Sequence, residues 1–131
     1  TVIVSDDRIS SPVLSSYDIA IVLNQPSLDK FLPKVKPGGM LIYDGNGIIN
    51  PPTRSDITIY RIDALAKAAE MRNNKVFNMI VLGGLLRVVP FLPDDALERA
   101  LYKTLPERHH KLIPLNMKAV EEGKKIIGKC V

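Results

Sequence analysis

The run Asp18-Ile19-Ala20-Ile21-Val22-Leu23-Asn24-Gln25-Pro26-Ser27 constrains the fold more than any other stretch of the chain. Its five consecutive apolar residues, Ile19 to Leu23, are too few for a buried helix and too continuous for a strand with one wet face. They describe a central strand covered on both sides, as in the middle of a parallel sheet. Asn24 and Gln25 then fall just past its carboxyl end, where open α/β sheets receive ligands. Pro26 stands in the first turn of a helix, where a missing N–H costs nothing. Two carboxamides at such a rim are candidates for contact with a ligand or a partner. The competing reading is that they satisfy the free N–H groups at the start of the next helix.

The flanking pattern extends this unit. After Pro26, Leu28, Phe31, Leu32 and Val35 recur at helical spacing, Pro37-Gly38-Gly39 stops the helix, and Met40-Leu41-Ile42-Tyr43 reads as the next strand. Strand, helix and strand in so short a span form a βαβ unit with parallel strands. Upstream, Val2-Ile3-Val4 reads as a short strand closed by Ser5-Asp6-Asp7, and Ser10-Ser11-Pro12 leads into Val13-Leu14. A strand needs neighbours, so the abrupt opening predicts that an upstream segment is missing.

Downstream, Asp44-Gly45-Asn46-Gly47 is a turn cluster, Ile48 to Pro52 a stiff surface stretch, and Ile57-Thr58-Ile59-Tyr60 a third strand. Asp63 is placed to cap a helix carrying Leu65, Ala66 and Ala69, which Asn73-Asn74 ends. Asn78 is placed to cap the next, Met79 to Val89, which is apolar nearly all round and is closed by Pro90. Gly83 and Gly84 cost that helix roughly 2 kcal/mol relative to alanine, which implies close approach of another backbone. Pro93-Asp94-Asp95 starts a helix with Leu97, Ala100 and Leu101 inward. The last helix begins near Pro114 and carries Leu115, Ala119, Gly123 and Ile126 or Ile127 on one stripe. The expected fold is a three-layer α/β/α sandwich with a mostly parallel, Rossmann-like sheet and its helices concentrated in the C-terminal half.

Length and composition set the class. A chain of 131 residues suits one domain, and 46% hydrophobic against 24% charged residues describes an ordered core. No apolar run approaches the roughly 20 residues that cross a bilayer, and no signal peptide opens the chain, so a cytoplasmic protein without a membrane partner is expected. The net charge of +4 is unevenly placed, because residues 99–131 hold eight Lys/Arg against three Asp/Glu. The basic residues are spread out with almost no aromatics between them, which favours a solvated helix face over a nucleic-acid site.

Signatures of catalysis are missing. The sequence contains no GxGxxG, Walker-type loop, GxSxG elbow or HExxH. His109 and His110 are adjacent, so on a helix they point about 100° apart and do not share a metal ion. Asp6-Asp7 and Asp94-Asp95 sit where turns and helix starts use aspartate, and Asp44 and Asn46 read first as turn residues. Cys130, the one cysteine, lies at a terminus expected to fray, without the histidine and rigid scaffold a nucleophile needs. One cysteine also cannot ligate an iron–sulfur cluster. The residues describe a domain that supplies a binding rim and a surface, with no catalytic residue and no metal site of its own.

The ordered set Val4-Ser5-Asp6, Ser11-Pro12, Tyr17-Asp18, Leu23-Asn24-Gln25, Lys36-Pro37-Gly38-Gly39 and Leu41-Ile42-Tyr43-Asp44 resembles the gamma subunit, or gamma domain, of the 2-oxoacid:ferredoxin oxidoreductases. Asn78-Met79-Ile80-Val81-Leu82-Gly83-Gly84, Leu92 to Leu97, and Asn116 with Ala119 and Gly123 extend the resemblance over essentially the whole chain. It implies a non-catalytic subunit, an enzyme as part of a complex that uses thiamine diphosphate with magnesium to decarboxylate a 2-oxoacid. Such a complex passes electrons through iron–sulfur clusters to ferredoxin and transfers the acyl group to coenzyme A. Thiamine-binding and ferredoxin-like subunits are the implied partners, and Asn24 and Gln25 the implied coenzyme A contact. Asn24-Gln25-Pro26-Ser27-Leu28-Asp29-Lys30-Phe31 resembles the 2-oxoglutarate branch most, with pyruvate or a related acid the alternative. Family members open with a Gly-Gly-Gln-Gly strand-to-helix segment that has no counterpart here, so residues 1–131 are expected to be one gamma-type domain lacking that piece. Two other classes are a stand-alone Rossmann-like nucleotide-binding module and a purely structural subunit.

Overall fold

The structure is a computed structural model and describes residues 2–4, 7–8 and 14–130. The turn expected at Ser5-Asp6 and the lead from Ser10 to Val13 lie outside the described residues. Strand β1, Tyr17–Val22, enters helix α1, Gln25–Phe31, and a single 3-10 turn, Leu32–Lys34, leads into β2, Val35–Asp44. Strand β3 is Thr58–Ile62. Helices α2 (Ala64–Glu70), α3 (Phe77–Val88), α4 (Asp94–Thr104) and α5 (Ile113–Ile126) follow, and β4, Gly128–Lys129, ends the fold. The sheet order is β1-β2-β3-β4, with the first three strands parallel and β4 antiparallel to β3. This is the expected α/β class, with its helices concentrated in the C-terminal half.

Alternation along the strands divides the core in two. Ala20, Val22, Leu41, Tyr43 and Ile59 face α1, packing with its Leu28 and with Val35 and Ile48. Ile42 and Ile62 face the other way, into Ala64 and Ala68 of α2, Ile80 and Val81 of α3, and Ala119 of α5. A third cluster seats α4 on the outer side through Leu97, against Leu86 of α3 and Val120 of α5. Gly83 and Gly123 make the α3–α5 contact possible. A methyl group on Gly83 would run into the carbonyl of Val120, and one on Gly123 into the carbonyl of Ile80. The backbone approach expected from the glycine pair is present at Gly83, whereas Gly84 faces the side chains of Ile62 and Ile127.

Several expectations change. Ile19 to Leu23 does not form a central strand: among the described residues β1 lies at the edge, and Ile21 is 38% exposed. The run is apolar on both faces, but only the Ala20–Val22 face is roofed, by α1. The fully covered strand is β2, where Leu41 and Ile42 are both 0% exposed. Val2-Ile3-Val4 is not a strand either. Val2 lies across a hollow from Tyr17, Ile19 and Ile21 without a ladder, and Val2 and Val4 are largely exposed.

The first helix ends at Phe31, six residues before Pro37, because Pro33 can neither donate to the helix nor sit comfortably in its interior. Pro37-Gly38-Gly39 therefore lies inside β2, in the stretch where the β1–β2 register shifts. Asn78 sits inside α3 and does not cap it; a 3-10 turn over Asn74–Val76, capped by Asn73, leads straight into the helix. Ala100 is exposed, so Leu97 and Leu101 alone carry the inner face of α4. Cys130 is not frayed: its N–H donates to the Ile59 carbonyl, continuing the β3 edge. No helix among the described residues is long and apolar enough to cross a membrane.

Candidate functional site

The carboxyl ends of β1, β2 and β3 bring together Asn24, Gln25, the loop Gly45–Asn50, and the pair Arg61 and Asp63. Val22, Tyr43 and Arg61 are register neighbours across the three strands, so the segments that follow them emerge on one rim. Asp44 organises its centre. This carboxylate is 1% exposed; Oδ1 accepts the N–H of Asn46 at 2.8 Å and Oδ2 accepts the N–H of Leu65 at 3.0 Å. The acid that ends β2 thus folds its own turn and caps α2. Asp63, expected to cap that helix, makes no side-chain cap and instead pairs with Arg61 at 3.1 Å. Their side chains crowd over Gly45 and are about half exposed.

Asn24 and Gln25 are both at the rim, as the sequence places them, with their oxygens already engaged. Asn24 Oδ1 accepts the N–H of Ser27 at 2.9 Å and caps α1. Its Nδ2 group has no hydrogen bond among the described residues, and the side chain is exposed. Gln25 Oε1 accepts two N–H groups from the neighbouring loop, Ile49 at 2.9 Å and Asn50 at 2.8 Å, while Nε2 donates to Asp29 at 2.9 Å. Gly47 lies so close to the end of β1 that a side chain there would strike the Leu23 carbonyl. Ile48 plugs the loop into the core, leaving Asn46, Ile49 and Asn50 exposed.

Two groups near the rim were not singled out by sequence reasoning. Arg61 is the cation of the rim, and its signal was its place at the end of the third strand, one residue beyond the predicted span. Tyr43 is buried beneath it, with its hydroxyl 3.7 Å from Cys130 Sγ. Burial first, then that contact with the thiol, pushes the phenol above its ordinary value, so it stays protonated. The two histidines are elsewhere, on the turn before α5. His110 Nε2 bonds the Leu105 carbonyl at 2.9 Å, and His109 Nε2 accepts from Arg108 at 3.2 Å. Among the described residues no three His, Cys, Asp or Glu side chains are gathered to hold a metal.

A parallel βαβ unit whose rim, with the end of β3, gathers amides, a guanidinium and a glycine loop defines an α/β domain of the open-sheet class. Its family is clear. The chain belongs to the pyruvate ferredoxin/flavodoxin oxidoreductase family, whose model matches residues 1–126. It is 28% identical over 123 residues to ketoisovalerate oxidoreductase subunit VorA of Methanothermobacter marburgensis, covering 93% of this chain and 25% of that protein. It is also 28% identical over 108 residues to 2-oxoglutarate synthase subunit KorC of Methanocaldococcus jannaschii, covering 81% of this chain and 58% of that one. The chain thus spans only part of both relatives.

Among solved structures, the gamma subunit of a keto/oxoacid ferredoxin oxidoreductase from Geobacter sulfurreducens superposes with a TM-score of 0.72 at 22% identity, over 90% of this chain and 66% of that one. The 2-oxoglutarate:ferredoxin oxidoreductase of Magnetococcus marinus, with 2-oxoglutarate, coenzyme A and succinyl-CoA bound, superposes with a TM-score of 0.64 at 22% identity, over 84% of this chain and 19% of that one. What these two share with the present chain is the fold.

Proposed function

We propose that this chain serves as the gamma subunit, or gamma domain, of a thiamine diphosphate-dependent 2-oxoacid:ferredoxin oxidoreductase and forms part of the coenzyme A side of its active site. The observation that carries the reading is the family match over residues 1–126, which takes in every strand and helix described here except β4. Thiamine diphosphate with magnesium, and the iron–sulfur clusters that lead to ferredoxin, are assigned to other parts of the complex, since residues 1–131, with one cysteine, cannot supply a cluster's ligands.

Coenzyme A provides a thiol to accept the acyl group, and its phosphates and amides need hydrogen-bond donors. The rim has them. Asn24 Nδ2 is free to donate, and the half-exposed Arg61 guanidinium keeps donors beyond the one it gives Asp63. Asn24 and Gln25 remain the proposed pair on this side, Asn24 by direct contact and Gln25 through the loop it holds. 2-Oxoglutarate is the favoured acid, because the segment from Asn24 to Phe31 resembles that branch and KorC, a 2-oxoglutarate synthase subunit, is among the relatives.

Asn24→Ser tests the contact, since serine keeps an acceptor for the Ser27 N–H while removing the amide donor. In the assembled complex the KM for coenzyme A rises roughly three- to tenfold, about 0.7–1.4 kcal/mol, with kcat unchanged. An unchanged KM in a fully assembled complex assigns the chain to scaffolding instead. That second reading is favoured by one observation, that both oxygens of the Asn24–Gln25 pair are already satisfied within the chain. Ferredoxin reduction with 2-oxoglutarate, pyruvate and ketoisovalerate in turn decides the acid.

A further inference from the structure

The stretch from Ile48 to Thr53 is suspended between two anchored ends. At its start the Asp44 carboxylate and the packing of Gly47 on Leu23 fix the turn. At its far end Arg54 donates from Nη1 to the carbonyls of Leu32 at 2.7 Å and Val35 at 2.8 Å, and its fork pairs with Asp56. Between them, Pro51 and Pro52 have no N–H to give. The only hydrogen bonds to the backbone of residues 48–53, among the described residues, are the two that Gln25 Oε1 accepts from Ile49 and Asn50. Packing holds Ile48 in the core but not the residues that follow, because Ile49 is 84% exposed and Asn50 is exposed too. Gln25 itself is held, its Nε2 tied to Asp29 one turn along α1.

We infer that Gln25 is a positioning residue: a latch through which α1 sets the position of the 48–53 loop and, resting on the coenzyme A reading above, the affinity of the rim for coenzyme A. The latch needs an oxygen toward the loop and a donor toward Asp29, and a carboxamide is the smallest group of that reach with both. A carboxylate at position 25 would still accept the two N–H groups but would face the Asp29 carboxylate. Neutralising position 29 at the same time removes that repulsion.

The experiment uses the assembled complex and two readouts, hydrogen exchange of the peptide covering residues 46–55 and steady-state kinetics. Gln25→Ala is expected to speed exchange at Ile49 and Asn50 and to raise the KM for coenzyme A about tenfold, leaving kcat and the KM for the 2-oxoacid unchanged. Gln25→Glu combined with Asp29→Asn restores both, and Gln25→Glu alone does not. Unchanged exchange in Gln25→Ala overturns the latch, whatever happens to the kinetics. Faster exchange with an unchanged KM overturns its link to the ligand. If Asn24→Ser then raises that KM, the coenzyme A reading survives while the latch's role in it fails; if neither variant moves it, the coenzyme A reading itself has failed.

Discussion

Asp44 shows how much one buried side chain decides. Its two oxygens serve different segments, one closing the turn at Asn46 and the other capping α2 at Leu65, and no water reaches it to substitute for either bond. A carboxylate accepting two backbone N–H groups makes bonds stronger than neutral ones, and removing it takes the partner from both part-buried bonds. Asp44→Ala is therefore expected to destabilise the fold by about 2–4 kcal/mol, seen as a lower denaturant midpoint. Asp63→Ala, at the position where a sequence reading puts the cap, costs about 1 kcal/mol or less, since its partner Arg61 is half exposed. The reversal follows from geometry: the helix N–H groups point back at the end of β2, which tertiary packing places beneath them.

At the scale of elements, the α3–α5 contact is set by glycine and trimmed by charge. Gly83→Ala drives a methyl group into the Val120 backbone, which cannot yield without separating the helices, and about 3 kcal/mol or more of stability is lost. Gly128→Ala meets nothing within 4 Å and stays within about 0.5 kcal/mol of the parent in the same denaturation experiment. Lys67 of α2 lies 3.1 Å from Glu122 of α5, and both side chains are mostly covered. The bond to Lys67 holds Glu122 below its ordinary 4.5, and the bond to Glu122, followed by that to Glu70, holds Lys67 above its ordinary 10.5. The stabilisation from Glu122 is thus complete above pH 4.5 and disappears as pH falls through its lowered value. That from Lys67 is complete below pH 10.5 and disappears as pH rises through its raised one. Denaturation midpoints measured along pH should lose that acid limb in part in Lys67→Met.

At the scale of the molecule, the rim and the helical layer are separable. The rim takes its polar side chains from the strand ends and the loops after them, and the helices packed on the Ile42–Ile62 face meet it only where the Leu65 N–H bonds Asp44; no carboxylate set suited to a metal-bound diphosphate is gathered among the described residues. If the chain meets coenzyme A and leaves the 2-oxoacid to a thiamine-binding partner, rim variants change one substrate constant only. In the assembled complex, Asn24→Ser is expected to leave the ratio of kcat/KM for 2-oxoglutarate to that for pyruvate unchanged, measured by ferredoxin reduction. A shift in that ratio would place acid selection on this chain.

What the residues settled unaided was local: the strand–helix–strand unit from Tyr17 to Asp44, the glycine contact at Gly83, the proline-started α4 and α5, and two carboxamides at a strand's end. Each rests on short-range physics, the period of apolar residues and the backbone demands of proline and glycine. Packing decided the rest. Ile19 to Leu23 reads as a middle strand because burial on two faces and apolarity on two faces look alike in one dimension, while the sheet order puts β2 in the centre. In the same way, nothing near Gln25 in the chain predicts that its oxygen turns to Ile49 and Asn50. That bond joins residues more than twenty apart, which only the folded sheet brings within 3 Å.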